Sequence, residues 1–217
     1  MTRNPRTKAL GVVAVGGTAA VVALEYAHVW RRGRAPIPVP SASVDEVLAA
    51  SAEAAAETVE VAVQGYRSGS VRENALFNLL VSFSATFGLT RLSTHAIHRR
   101  GGGPAGPFRN LRIRSTHIHH FVPGIALAFL SGTAAILSPG ERLDRWLAIP
   151  FGAGAALTLD ESALLLQLED VYWTEEGVVS VQITLTAIAL LAAGAVAARA
   201  LRRGEREVLG EGVPSAT

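Results

Sequence analysis

The chain has 217 residues, of which 49 % are hydrophobic and 18 % are charged. It contains no cysteine, which excludes disulfide bonds and thiolate metal ligands. The formal net charge is +2, and the basic residues lie in short clusters beside apolar runs, a pattern typical of membrane flanks and not of a nucleic-acid-binding surface. These features predict an all-α, polytopic membrane helix bundle that is embedded in a lipid bilayer and binds no nucleic acid.

The N-terminal segment, residues 1–30, predicts a first transmembrane helix, because basic residues precede an apolar run of about 20 residues. A basic start and an apolar core are also typical of a signal peptide, but no convincing small-residue cleavage site follows. Residues 31–43 are expected to form an extended linker because they contain Pro36, Pro38 and Pro40.

Residues 44–70 predict an amphipathic helix. Apolar residues recur at helical spacing between Val44 and Tyr66, but five carboxylates interrupt them, which is too many for a membrane span. Because the acidic face would be repelled by anionic lipid, we expect this helix to dock on protein.

The membrane core is predicted over residues 71–203, followed by a flexible tail at 204–217. Four apolar runs in the core give about five spans in total, as expected for a multi-pass membrane protein. The four predicted core spans are 76–92, the segment from the histidines to Ser138, 146–168 and 178–201.

A histidine cluster lies at the start of the predicted third span, in the sequence S-T-H-I-H-H-F-V-P-G. His117, His119 and His120 fall within four residues. Imidazole is the side chain best suited to bind metal or to move protons near neutral pH. The cluster therefore predicts a polar site at one mouth of a membrane helix.

Counting spans places further polar residues on the same membrane face as the cluster. The end of the second span, the start of the third and the end of the fourth all meet there. A charge at the bilayer centre costs at least about 2.5 kcal/mol, so such residues are expected to be paired or bound. The residues gathered at this face are His95, His98, His117, His119, His120, Glu169, Asp170, Glu175 and Glu176, and Asp160 and Glu161 approach it from within the bilayer.

Three functions are consistent with this constellation. The first is a divalent transition-metal site (Zn, Fe, Mn or Ni), in a binding protein or in an enzyme acting on a lipid-like substrate. Its predicted ligands are His117, His119, His120, Asp160, Glu161 and Glu169, with His95, His98, Gln167 and Asp170 as additional candidates. The second is a proton-coupled transporter or channel subunit, for which we expect a homo-oligomer. The third is a structural membrane subunit in which helix 44–66 docks a partner, with the buried carboxyl groups hydrogen-bonded to another helix.

The depth of the histidines depends on where the third helix begins. A start at Thr116 puts His120 about 6 Å into the helix, level with Glu169. A start near Arg109 puts His120 about 16 Å in, level with Asp160.

The strings T-H-I-H-H-F-V-P-G-I and L-D-E-S-A-L-L-L-Q-L-E-D-V-Y-W resemble a group of uncharacterised multi-pass integral membrane proteins of actinobacteria. The resemblance covers Thr116 to about Trp173. It implies a location in the plasma membrane, and it implies no activity and no catalytic residues.

Overall fold

The computed structural model describes residues 5–99, 111–113, 116–118, 121–138, 141–160 and 175–210. Six α-helices account for most of them, with one short hairpin and one 3-10 turn. The elements are α1 (Pro5–Arg32), α2 (Val44–Arg67), α3 (Val71–Arg99), β1 (Leu111–Ile113), β2 (Thr116–Ile118), α4 (Phe121–Leu137), the 3-10 turn (Glu141–Leu143), α5 (Asp144–Asp160) and α6 (Glu175–Val208). The predicted all-α bundle is confirmed.

Three of these helices are long and apolar enough to cross a membrane, at Ala9–Arg32, Val71–Ser93 and Ile183–Val208. The helix α4 is apolar but has 17 residues. Its rise is about 25 Å, against a hydrocarbon core of about 30 Å. Within the described ranges the count is therefore lower than the five predicted spans, and the predicted fourth span, 146–168, lies partly outside those ranges.

The segment before α4 differs from both predicted arrangements. The strands β1 and β2 pair in antiparallel register, and the helix begins only at Phe121, so a helix starting near Arg109 and one starting at Thr116 are both wrong. One reason is Pro123, which is tolerated in the first turn of a helix but would clash in the interior of a longer one. Another is the alternation of Leu111, Arg112 and Ile113, which has the period of two that suits a strand.

The chain divides into two compact units. The large unit comprises residues 1–15 and 71–193, and the small unit comprises residues 16–70 and 194–217.

In the large unit, α5 packs against both α3 and α4 through glycines. A Cβ atom on Gly152 would overlap the side chain of Ser82 and the carbonyl of Leu79, both on α3. A Cβ atom on Gly154 would lie 2.6 Å from the carbonyl oxygen of Gly124 on α4. Because such contacts leave no room for a side chain, these glycines set the close approach of the three helices.

Among the described residues of the large unit, one buried apolar cluster consists of Phe83, Phe87, Ala156 and Ala189. The Asn78 amide of α3 donates a hydrogen bond of 2.7 Å to the carbonyl of Arg145. This bond ties the start of α5 to α3.

In the small unit, α2 begins at a capping box, which explains why the predicted start at residue 44 is accurate. The Ser43 hydroxyl accepts from the Glu46 N–H, and the Glu46 carboxylate accepts from the Ser43 N–H at 2.7 Å. The Ser43 N–H, and then its hydroxyl, lower the pKa of Glu46 below its ordinary value. Two backbone donors at the helix start are thereby satisfied.

The helix α2 docks on its own chain through one face. The buried residues of that face are Ala50, Ala54, Glu57, Val61 and Gly65. A Cβ atom on Gly65 would overlap the carbonyl of Ala200, and one on Gly204 would overlap the carbonyl of Val61. The two helices α2 and α6 therefore touch backbone to backbone at this point.

Candidate functional site

The level of the candidate site in the bundle is set by the packing of α4 on α5. A Cβ atom on Gly124 would lie 2.8 Å from the Leu157 Cβ and 3.0 Å from the Thr158 nitrogen. Further along α4, Gly132 is next to the ring of Phe151. Because the partner numbers fall as the α4 numbers rise, the helices are antiparallel. The first turn of α4 therefore lies beside the last turn of α5.

Asp160, the last residue of α5, is paired with Arg91 of α3. The Arg91 Nε lies 2.5 Å from Asp160 Oδ1, and Arg91 Nη2 donates to the Asp160 carbonyl at 3.2 Å. The Asp160 side chain is 6 % exposed and that of Arg91 is 42 % exposed. A buried carboxylate needs such a partner, since an unpaired one would lose its hydration without compensation.

The guanidinium of Arg91 also lies over the ring of Phe87, 5.4 Å from the ring centroid. Phe87 is itself buried and stacks on Phe83 with a centroid distance of 6.3 Å. The ring therefore supports the guanidinium through a cation–π contact on the side of the large unit's interior. Arg91 is not among the site residues predicted from the sequence. The signal in the sequence was the positive charge of Arg91, because a basic residue at the end of a span can pair with an acidic residue in a neighbouring helix.

The backbone places His117 on β2 as the register partner of Arg112 on β1. His95 and His98 lie on α3, four and seven residues after Arg91. His117 therefore lies on the strand that comes before α4, and His95 and His98 lie in the last two turns of α3. Their side chains are outside the part of the molecule that is described.

The other predicted site residues lie wholly outside the described residues. They are His119, His120, Glu161, Gln167, Glu169 and Asp170. Among the side chains that are described, no group of three or more His, Asp or Glu residues could hold a metal ion.

The sixth histidine, His28, belongs to the small unit. Its Nε2 lies 3.2 Å from the Glu205 carboxylate on α6.

An open apolar groove of about 510 Å³ runs between α4 and α5. Its walls include Phe129, Gly132, Ile136, Phe151 and Leu159. Thr158 also lines it, so one end of the groove lies within two residues of Asp160. A groove of this size and composition suits a hydrocarbon chain.

Comparison with family models, with curated proteins and with solved structures found no match. The site is therefore interpreted from its own chemistry.

Proposed function

We propose that this chain is a multi-pass protein of the plasma membrane whose large unit carries a histidine–carboxylate site for a divalent transition metal. The observation that carries this proposal is the packing of Gly124 against the last turn of α5. That contact brings the chain segment that follows the histidines to the level of Asp160.

The distances along the two helices are short. Phe121 precedes Gly124 by three residues, a rise of about 4.5 Å, and Asp160 follows Thr158 by two residues, a rise of about 3 Å. In antiparallel helices these displacements point the same way, so Phe121 and Asp160 lie at similar levels. His120 directly precedes Phe121, and successive Cα atoms are about 3.8 Å apart.

In the proposed site, imidazoles supply most of the ligands. His117, His119 and His120 are the principal donors, with carboxylate from Glu161 or Glu169. Asp160 is already paired with Arg91 through Oδ1. The two oxygens of a carboxylate offer about four lone-pair sites, so Asp160 can bind a metal or hold a histidine in orientation in addition to its pairing with Arg91.

Nitrogen and oxygen donors without thiolate suit Zn, Fe, Mn or Ni. Such a metal would supply Lewis-acid chemistry or an activated water. The apolar groove between α4 and α5 favours a lipid-like substrate, because its walls offer an acyl chain a hydrocarbon environment beside Thr158 and Leu159.

Metal analysis of the full chain in detergent tests this proposal. The wild-type protein is expected to bind a stoichiometric divalent metal, and His120→Ala is expected to lose it. His28→Ala is the matched control, because His28 is paired with Glu205 in the small unit and should leave the metal content unchanged. Equal metal content in wild type and His120→Ala, or equal loss in both variants, would contradict the proposal.

A proton-coupled transporter or channel subunit is the second candidate. The pairing of the buried Asp160 with Arg91 favours it, because ionisable residues in membrane helices often mark ion pathways. In that case the purified protein binds no metal, and Asp160→Asn folds but loses a proton-linked flux in vesicles. In a structural role, a partner would have to bind outside the face of α2 that is buried on the same chain.

A further inference from the structure

The outer side of α2 carries an apolar stripe, independent of the proposed metal site. Its members recur every three or four residues: Val44, Leu48, Ala52, Ala55, Val59 and Val63. Leu48 and Val59 are each 61 % exposed. At roughly 100° per residue, the stripe lies opposite the docked residues Ala50 and Val61. A continuous apolar stripe on an exposed helix indicates a covering other than water.

The contacts of α2 place the helix at the ends of α1 and α6. Near its start, the Tyr26 hydroxyl of α1 donates to the Ser51 carbonyl at 3.1 Å. Near its end, the Gln64 amide donates to the Glu207 carboxylate of α6 at 2.6 Å.

The two partners contact successive stretches of α2. Tyr26 and Arg34, around the end of α1, contact residues 51–60 of α2. Residues 200–207 of α6 contact residues 61–65 of α2. The helix α2 therefore passes from the end of α1 to the C-terminal part of α6.

Both helix ends carry the charges of a membrane boundary. The helix α1 ends at Arg31 and Arg32, and α6 carries Arg202 and Arg203 at the level of the α2 contacts. Apolar spans that end in arginine are typical of the point where a chain leaves the hydrocarbon core. The helix α2 therefore lies where lipid and water meet.

The carboxylates of α2 are arranged to one side of the stripe. Glu46, Glu53 and Glu60 recur every seven residues, and all three lie roughly 100–160° around the helix from Val59. Arg34 binds Glu60 at 2.7 Å and also pairs with the buried Glu57. Only Asp45, in the first turn, lies near the stripe.

The side of α2 between its docked face and the stripe presents satisfied hydroxyl groups. Ser51 Oγ donates to the Leu48 carbonyl at 2.8 Å, and Thr58 Oγ1 donates to the Ala54 carbonyl at 2.7 Å. Hydroxyls that bond to their own helix carry no open donor into hydrocarbon. This side of the helix is therefore compatible with an apolar medium as well.

We infer that α2 is an interfacial helix whose stripe is covered by the acyl chains of uncharged or zwitterionic lipid. One flank of the helix directs carboxylates to water, one face docks on α1 and α6, and the remaining surface is apolar or internally satisfied. From Val44 to Val63 the stripe is aliphatic and carries no arginine, and the aromatic Tyr66 follows at the same spacing near the end of the helix. The acidic flank disfavours anionic head groups.

Single-cysteine labelling tests this inference, and the chain is suited to it because it has no native cysteine. Val59→Cys and its matched control Glu53→Cys are each spin-labelled in the full chain and reconstituted into phosphatidylcholine vesicles. The label at residue 59 is expected to collide with oxygen and to lose access to a water-soluble nickel chelate. The label at residue 53 is expected to retain that access. Equal access of the chelate to both labels would overturn the inference.

A second copy of the chain is the other possible occupant. If two copies met through the stripe, labels at residue 59 would broaden each other's spectra, and the broadening would persist after dilution with excess lipid. That result would overturn the inference. Both labelled positions are exposed, so neither substitution disturbs a packed contact.

Discussion

At the scale of single residues, the pairing of Arg91 with Asp160 explains how a carboxylate can be buried at the end of α5. The side chain of Asp160 is almost fully covered, and its oxygen faces a guanidinium that is itself supported by Phe87. The sequence predicted that Asp160 needs a partner, because an isolated charge in the bilayer is costly. It did not identify the partner, since the two residues are 69 positions apart and only the packing of α3 on α5 brings them together.

Removing one member of this pair is predicted to destabilise the protein more than removing both. Arg91→Ala leaves the Asp160 carboxylate buried without its cation, which should cost up to about 3 kcal/mol, reduced by the partial exposure of Arg91. Arg91→Ala combined with Asp160→Ala should restore part of that loss. Thermal unfolding in detergent measures both.

The control for this pair is Arg142→Ala, because Arg142 is an exposed arginine in the 3-10 turn. Its substitution should leave the unfolding temperature nearly unchanged. If the loss of stability in the double variant equalled the sum of the losses in Arg91→Ala and Asp160→Ala, the two side chains would not interact.

At the scale of elements, glycine contacts decide which helices approach closely, and one of these contacts sets the geometry of the candidate site. Gly154→Ala is predicted to destabilise the large unit by about 1–3 kcal/mol, because the added methyl group would overlap the main chain of α4. It should also weaken metal binding, since it separates the first turn of α4 from the end of α5. Unfolding and metal titration measure the two effects.

The matched control for Gly154 is Gly88 in α3, because a Cβ atom there meets nothing within 4 Å. Gly88→Ala should be neutral or stabilising by up to about 1 kcal/mol, since alanine favours a helix interior over glycine. If both alanine variants had the same stability, the close contact of α4 with α5 would not determine the fold.

Two elements show what the sequence could and could not determine. The start of α2 was predicted at residue 44, where it is found, because its capping serine and its apolar spacing are local signals, whereas its end was predicted at residue 70 and lies at Arg67. The β1–β2 hairpin was missed, although the alternation around Arg112 and the position of Pro123 were visible. The long apolar run after the histidines favoured a helix in the prediction. In the structure, the pairing between the two short strands stabilises the hairpin.

At the scale of the whole molecule, the number of membrane crossings depends on α4, which is apolar but short. Its 17 residues rise about 25 Å, about 5 Å less than the average hydrocarbon core. A mismatch of this size costs fractions of a kcal/mol per Å, because lipid thins locally and flanking basic side chains extend to the interface. Arg112 before α4 and Arg142 after it can serve in this way. We therefore expect α4 to cross the membrane.

This expectation is tested by labelling from one side. Arg112→Cys and Arg142→Cys, each the single cysteine of the chain, are treated in sealed vesicles with a membrane-impermeant maleimide. If α4 crosses the bilayer, only one of the two variants reacts before the vesicles are opened, and both react afterwards. If both react at once, or both only after opening, α4 and α5 enter and leave on the same face. The histidines and the α4–α5 turn would then lie on the same side of the membrane. In that case the number of spans would no longer place Asp160 near the histidines, and only the packing of α4 on α5 would do so.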